Sequence, residues 1–551
     1  MSHPDARAEL IAYHRLSSHA PDRYAPGPGH LDWATQPDPF RRYAGAPRID
    51  LPEPEERLGV PAAVLAGNQV PAQPLEPATL GRLLRFSLGL AAWKQWGESR
   101  WSLRCNPSSG NLHPTEAYVV TPGLPGLAPG VHHYVSLLHA LEHRATLARP
   151  EALTAAWPAE GVLVGLTGIV WREAWKYGTR AWRYCQLDAG HALAALACAA
   201  AALGWRARLL TAFGDAQIAP LLGLDRADGH GEAEPETPEA LLWVGPEAPG
   251  QEPDPARIEA AFRLAGPRWQ GRPNRLSPRR REWPGIAEAE RAARKPPTPP
   301  VAPLSPATGP PQPAALPRDH TLDAGALFLQ RRSAVAFDAR TGLPAAHLWA
   351  LLDRLLHRPG LAPWDAVPWP PRVALALLVH RVEGLDPGVY LLPRGTGLEG
   401  RGEPVEGAPP HLGLVRLAPG DARHFARLAS CHQEIAADGC LAFAMLARLE
   451  AALDEGCWWY RWLHWEAGAV GQMLYLGAEL CGLRGTGIGC FFDALVPQAL
   501  GAALPAPASD LYHFTLGAPV EDRRLRTHPP YEGLAGWRQA AGGRGAARPL
   551  A

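Results

Sequence analysis

Residues 104–120 read RCNPSSGNLHPTEAYVV, a cluster of hydrogen-bonding side chains followed at once by an apolar strand pattern. Asn106, Ser108, Ser109, Asn111 and His113 crowd around Pro107 and Gly110. A bare connection needs no such density of donors and acceptors, whereas a loop held against a polar ligand does. A second candidate is QRRSAVAFD at 330–338. There Arg331, Arg332 and Ser333 offer forked guanidinium donors and a hydroxyl, a set suited to a phosphate. Lysine occurs only at Lys94, Lys176 and Lys295 in 551 residues, so each retained lysine marks a position of interest. RGTGIGC at 484–490 carries a G-x-G-x-G spacing after a helical pattern. That is not the strand-to-helix dinucleotide fingerprint.

The elements that must position these residues fall into two parts. The 551 residues are 46% apolar with zero formal net charge, enough for two or three cores and without a field that favours nucleic acid or an anionic membrane. Eight cysteines without a CxxC pair predict neither a disulfide framework nor a zinc site. The charged start MSHPDARAELIAYHRL lacks an apolar signal region, and the longest apolar run, 189–205, is short for a bilayer. A soluble, cytoplasmic protein with no membrane or nucleic-acid partner is the expectation. Residues 296–317 hold ten prolines and read as a polyproline-type spacer, with a reach of roughly 70 Å at full extension. The divisions are therefore an N-terminal domain over 1–290, a proline-rich linker over 291–317 and a C-terminal domain over 318–551.

The two parts repeat each other. Residues 182–215 and 460–493 align without a gap at an offset of 278. Arg183 meets Arg461, Asp188 meets Glu466, Gly190 meets Gly468, Gly204 meets Gly482, Phe213 meets Phe491 and Asp215 meets Asp493. Each segment reads as a long buried helix followed by a short strand. Helical patterns at 77–85 and 344–354 and strands at 240–245 and 512–517 flank them. The order predicts two α+β domains, packed through the long helices as an intrachain pseudo-dimer.

With these motifs in place, the chain resembles the nitroreductase family. PSSGNLHP resembles the family's flavin-contacting segment, QRRSAVAFD its phosphate motif, and GAVGQMLYLGAELCGLRGTGIGCF its central helix and glycine-rich turn. WKYGTRAWRYCQLDAGH at 175–191 resembles the Lys-Tyr segment of the SagB-type dehydrogenase branch. The resemblance implies FMN as cofactor, bound between two nitroreductase-like domains. Ser108, Ser109 and Asn111 would meet the polar edge of the ring or the ribityl chain, Pro107 and Gly110 would hold the backbone close to the cofactor, and Arg104 would lie against phosphate or ring. Arg331, Arg332 and Ser333 would hold the phosphate, joined by Arg523 and Arg524 near the C-terminus. Gly487, Ile488 and Gly489 would form a turn lending backbone N–H groups near flavin N5. Lys176 and Tyr177 would handle the proton.

The motifs are divided between the halves. VLAGNQVP at 64–71 stands where the first half would carry the Arg-Arg-Ser motif, and VPWPPRV at 367–373 stands where the second would carry PSSGN. One composite site is therefore expected, with a monomeric pseudo-dimer sufficient to complete it. The implied activity is FMN-dependent oxidation of a small-molecule or peptide-derived substrate, with oxygen as one acceptor. The alternatives are an NAD(P)H-dependent nitro or quinone reductase, and a non-catalytic interaction scaffold with a degenerate flavin site. The basic, aromatic stretches at 40–45 and 272–283 are expected to strap the molecule.

Overall fold

The computed structural model describes residues 2–226, 231–302 and 313–542. Residues 303–312 of the proline-rich segment lie outside them. Two antiparallel sheets and two long helices dominate, as the repeated pattern requires. The first sheet runs in the order Pro267–Trp269, Ala140–Leu147, Gly130–Val135, Thr115–Thr121, Val162–Gly168, Thr237–Gly245, Arg206–Leu209. An eighth strand, Arg48–Asp50, pairs with Ala140–Leu147. The second sheet runs Glu403–Pro404, Val415–Pro419, Gly388–Leu392, Val373–Val379, Leu441–Ala447, Ser509–Gly517, Arg484–Ile488. The six strands from Ala140–Leu147 to Arg206–Leu209 have the same order as the six from Val415–Pro419 to Arg484–Ile488.

The central helices are Ala181–Ala202 and Trp459–Leu480, and their ends coincide at the offset of 278. Their residues are small or apolar almost throughout, because each helix packs on its own sheet and on the other helix. Among the described residues, the stretch that by length and composition alone could cross a membrane, Val170–Ala202, contains the first of these helices and is mostly buried inside the protein. The helices approach most closely where both carry glycine. A Cβ on Gly190 would stand 2.2 Å from the carbonyl oxygen of Trp465, and one on Gly468 would stand 2.2 Å from that of Leu187. No side chain fits at either position.

A third, small sheet joins the first half to the far C-terminal part. The hairpin Leu90–Trp96 and Ser99–Arg104 is extended by Arg526–His528 from the far C-terminal part. Tyr43–Ala44 and Arg272–Pro273, from the two basic stretches, pair with each other. The described part of the proline-rich segment is fastened down rather than free. Asp215 and Lys295 exchange main-chain and side-chain bonds, Thr298 N–H donates to Ala212 O at 3.2 Å, and Leu316 is buried. The stiff spacer expected from composition is therefore a packed strap over these residues.

Candidate functional site

Between the two halves lies a cleft of about 460 Å³ lined from both. The first half supplies the hairpin, the 104–111 loop, Tyr177, Tyr184, Asp188 and His191. The second supplies residues 331–335, Tyr475, the 484–490 segment and Tyr512. Volume and composition suit a small organic ligand with one charged end.

The 104–111 loop owes its shape to its own polar groups. Ser109 N–H donates to both carboxylate oxygens of Asp188, at 3.1 and 3.0 Å, and its hydroxyl adds a third bond at 3.0 Å. Ser108 Oγ accepts the His113 N–H at 2.7 Å. Asn111 donates to Ser102 O at 2.6 Å, while its backbone and that of His113 adopt left-handed φ values of 60° and 53°. Gly110, at φ 57°, has Tyr177 Oη 2.4 Å from where a Cβ would sit. The polar crowd is thus spent largely on holding the loop, which then presents its backbone and Ser108 to the cleft. Arg104 also lines the cleft, but its guanidinium is turned to Thr115 O at 3.0 Å and Pro39 O at 2.8 Å. Pro107 lines it too.

Arg331 links the two halves directly. Its Nε donates to Cys105 O at 2.8 Å and its Nη2 to Arg104 O at 3.0 Å, so it anchors the loop rather than offering a free cation. Arg332 faces the cleft, and its Nε is buried without a hydrogen-bond partner. Arg484 and Lys94 lie close enough for their charges to act on it. Arg484 is paired with Glu521 at 2.6 Å and Lys94 donates to Thr527 Oγ1 at 2.8 Å. Burial, followed by the other cations, pulls both Lys94 and Arg332 below their usual range. Three cations converging on an orphaned donor form the charged end of the cleft. Ser333 meets Tyr475 Oη at 2.7 Å. Arg523 and Arg524 do not join this cluster: both are exposed outside the cleft lining, and Arg524 pairs with Asp522 at 2.8 Å.

The glycine-rich segment differs from the expected turn. Arg484–Ile488 is an edge strand paired antiparallel with Ser509–Gly517. Its glycines clear space for tyrosines. A Cβ on Gly487 would stand 1.8 Å from Tyr512 Oη, and one on Gly489 would stand 2.6 Å from the Tyr184 ring. The Gly487 N–H is already donated to Tyr475 Oη at 2.9 Å. Gly487, Ile488 and Gly489 all line the cleft.

At the opposite wall, Lys176 and Tyr177 end the helix Val170–Tyr177. Tyr177 lines the cleft, whereas Lys176 stands behind it with Nζ 5.3 Å from the Tyr177 ring centre. Burial, then Glu173 and Tyr184, push the Tyr177 phenol well up, so it keeps its proton at neutral pH. Behind it Glu173 and Asp188 form a buried carboxyl pair. Burial, then Asp188, holds Glu173 well above its ordinary value, and burial raises Asp188 to about 7 against the pull of Ser109. Two carboxyls this close and this dry hold a proton between them. The types of Lys94 and Asp188 gave some notice of both, through lysine scarcity and the repeat alignment. Nothing in the local sequence marks Tyr475 and Tyr512, which come to the cleft only through tertiary packing, or Glu173, which stands behind it.

Residues 71–233 match the nitroreductase family. The chain is similar to a protein of Anabaena variabilis classed as a nitroreductase, at 24% identity over 93% of this chain and 99% of that one, with a TM-score of 0.66. This likeness shows a shared fold. Weaker likenesses reach the Escherichia coli microcin synthetase McbBCD complex, at 20% identity over 35% of this chain and 70% of that one, TM-score 0.28. They also reach a Ralstonia eutropha protein classed as a nitroreductase, at 18% identity over 41% of this chain and 99% of that one, TM-score 0.27. No curated protein matches the chain.

Proposed function

We propose that this chain is an FMN-dependent oxidoreductase of the nitroreductase family. In this reading two nitroreductase-like domains stand in tandem, 1–290 and 318–551, and share one composite site. The observation that carries it is the cleft that Ser108 and Arg332, from opposite halves, line together. The family match over 71–233 supports it.

The residues fit the cofactor. Arg332, Arg484 and Lys94 supply charge for a phosphate dianion, and the buried Arg332 Nε is a donor awaiting an acceptor. Tyr475, Tyr512, Trp101 and Leu103 give flat and apolar walls, and Ser108 with the 104–111 backbone gives polar contacts for a ring edge. When bound, FMN supplies a two-electron carrier that accepts or returns hydride.

The chain's own groups manage the proton. Tyr177 holds one at its phenol oxygen, facing the cleft. Lys176, behind that ring, receives the substrate proton by way of Tyr177, and Glu173–Asp188 holds a further proton behind the loop. A carbon acid then loses H⁺ to the protein as hydride leaves the neighbouring atom. This arrangement favours a dehydrogenase of the SagB type, acting on a small-molecule or peptide-derived substrate. Its rival, NAD(P)H-driven reduction of nitro or quinone compounds, is separated by anaerobic stopped-flow. Rapid bleaching of bound flavin by NAD(P)H alone would overturn the dehydrogenase reading. A colourless protein that refuses added FMN would overturn both.

The counterpart position between the halves carries different residues. Trp369, in the segment matching PSSGN, is buried, stacks on Trp462 at 4.6 Å and donates to Glu466 at 3.1 Å. Ala197 stands where the repeat would place the equivalent of Tyr475. A cleft of about 570 Å³ remains there, lined by Ala197 and the 67–70 segment, but it lacks the Arg-Arg-Ser set and the tyrosine wall, so one flavin per chain is the expected stoichiometry.

A further inference from the structure

Cys490 directly follows the glycine-rich strand and lines the cleft. Cys431 faces it from the loop after Ala429, and the two thiols interact directly. The main chain holds these segments together on both sides. Phe492 N–H donates to Ala429 O at 2.8 Å, and Gln433 Nε2 donates to Ser430 O and to Cys490 O at 2.9 Å each.

The loop is strained where it carries the thiol. Cys431 and His432 adopt φ values of 52° and 62° in succession, conformations that cost energy in any residue with a side chain. Such strain persists only where the surroundings impose it, and here it keeps Cys431 against Cys490. Both cysteines are partly exposed, unlike Cys105, Cys185, Cys198, Cys440 and Cys457, which are buried.

Cys490 is also activated. Ala25 N–H donates to Nδ1 of His19 at 2.9 Å, so the ring proton sits on Nε2 and is available to the Cys490 sulfur that His19 contacts. Arg180 adds positive charge nearby. The Cys431 thiol foremost, then His19 and Arg180 against the effect of burial, bring Cys490 down to about 5, while the same contact drives Cys431 up. The contact thus favours the thiolate at Cys490 and the proton on Cys431.

We propose that Cys490 and Cys431 form a peroxide-reactive thiol pair at the rim of the cleft. The Cys490 thiolate attacks one oxygen of a hydroperoxide. The O–O bond breaks, and the departing oxygen leaves with a proton as water or an alcohol. Cys490 is then a sulfenic acid. Cys431 sulfur attacks Cys490 sulfur, the S–O bond breaks, and the hydroxyl leaves as water with the Cys431 proton. Two thiols have lost two electrons to the peroxide and become a disulfide that ties the loop to the end of the glycine-rich strand. No flavin takes part, so this inference is independent of the function proposed above.

The test uses the full chain, fully reduced, treated with one equivalent of hydrogen peroxide and followed by intact mass and peptide mapping. The wild type is expected to lose two hydrogens and yield a Cys431–Cys490 cross-linked peptide. Cys431→Ser is expected to stop at a dimedone-reactive Cys490, and Cys490→Ser to leave Cys431 reduced at the same dose. Without peroxide, iodoacetamide at pH 6 should label Cys490 more than roughly tenfold faster than Cys481, whose thiol burial pushes up to about 12. Peroxide oxidising other cysteines as fast as Cys490 in the wild type, or equal labelling of Cys490 and Cys481, would overturn the proposal without recourse to either variant.

Discussion

Arg183 on the first central helix reaches across to Asp493 of the second half at 2.6 Å. Its counterpart Arg461 makes the return reach to Asp215 of the first half, also at 2.6 Å. The four residues are two pairs at the same offset of 278, and each ion pair joins one half to the other. All four are largely buried, and Arg180 adds a second cation to Asp493 at 2.8 Å. Burial alone would raise the Asp493 carboxyl, but Arg180 and Arg183 outweigh it and hold it well below the carboxylate range.

Asp493→Asn should therefore destabilise the chain by about 3–5 kcal/mol, since two buried guanidiniums lose their counter-charge. The sign with pH follows from the depressed value. The stabilisation from Asp493 is present above the unfolded carboxyl pKa and is lost as pH falls below it. The deficit of the variant, measured by urea unfolding, should thus shrink from pH 6 toward pH 3. A deficit that is constant over that range would mean Asp493 acts by shape alone.

Gly190→Ala and Gly468→Ala should each destabilise by at least about 3 kcal/mol, because the added methyl meets backbone rather than a movable side chain. Gly477→Ala is the control: its nearest neighbour is the Leu351 side chain at 3.3 Å, which can yield. Thermal melts that rank Gly477→Ala as the worst of the three would show that the helices do not meet at Gly190 and Gly468.

The helices were legible because each is buried on all sides and the repeat runs through them without a gap. The sequence pattern at the cleft was harder to interpret. Glycines at 485, 487 and 489 read as a turn, since glycine is the usual turn residue. Their actual role is to admit the rings of Tyr512, Tyr184 and Phe514, which local sequence cannot reveal. Arg331 and Arg332 are adjacent and chemically alike, yet one holds backbone and the other faces the cleft. Only the position of Cys105 O separates them.

Arg332→Ala should weaken FMN binding by about 10- to 100-fold, the worth of one charge-assisted contact of about 1.5–3 kcal/mol. Riboflavin, which lacks the phosphate, should bind wild type and variant alike. Fluorescence titration with the two ligands checks this. An equal loss for both would place Arg332 away from the phosphate, and Arg524→Ala should affect neither because that side chain faces solvent.

Asp188→Asn tests the shared proton. Burial raises Asp188 to about 7 in the folded state, so its contribution to stability is full at low pH and declines as pH rises from about 4 through 7. The amide keeps an acceptor for the Ser109 N–H and removes one charge from the pair. Relative to wild type, the variant should gain at least about 1 kcal/mol between pH 5 and pH 8. A difference that stays flat across that interval would show that Glu173 and Asp188 ionise independently.

Lys176→Ala and Tyr177→Phe separate the base from the donor. Both residues lie outside the cation cluster, so both variants should bind FMN as tightly as wild type and keep its 450 nm band. Removal of a general base or acid costs about 10²–10⁴ in rate. With the true substrate under anaerobic conditions, each variant should slow flavin reduction by such a factor. Lys176 stands behind Tyr177, however, and reaches the cleft only past its ring. Tyr177→Phe should therefore remove the relay while leaving the ring in place, and its defect should approach that of Lys176→Ala. The double variant should then be scarcely slower than either single one, because both interrupt one proton path. Independent, multiplying defects would show two separate roles, and an unaffected Lys176→Ala would remove lysine from the chemistry altogether.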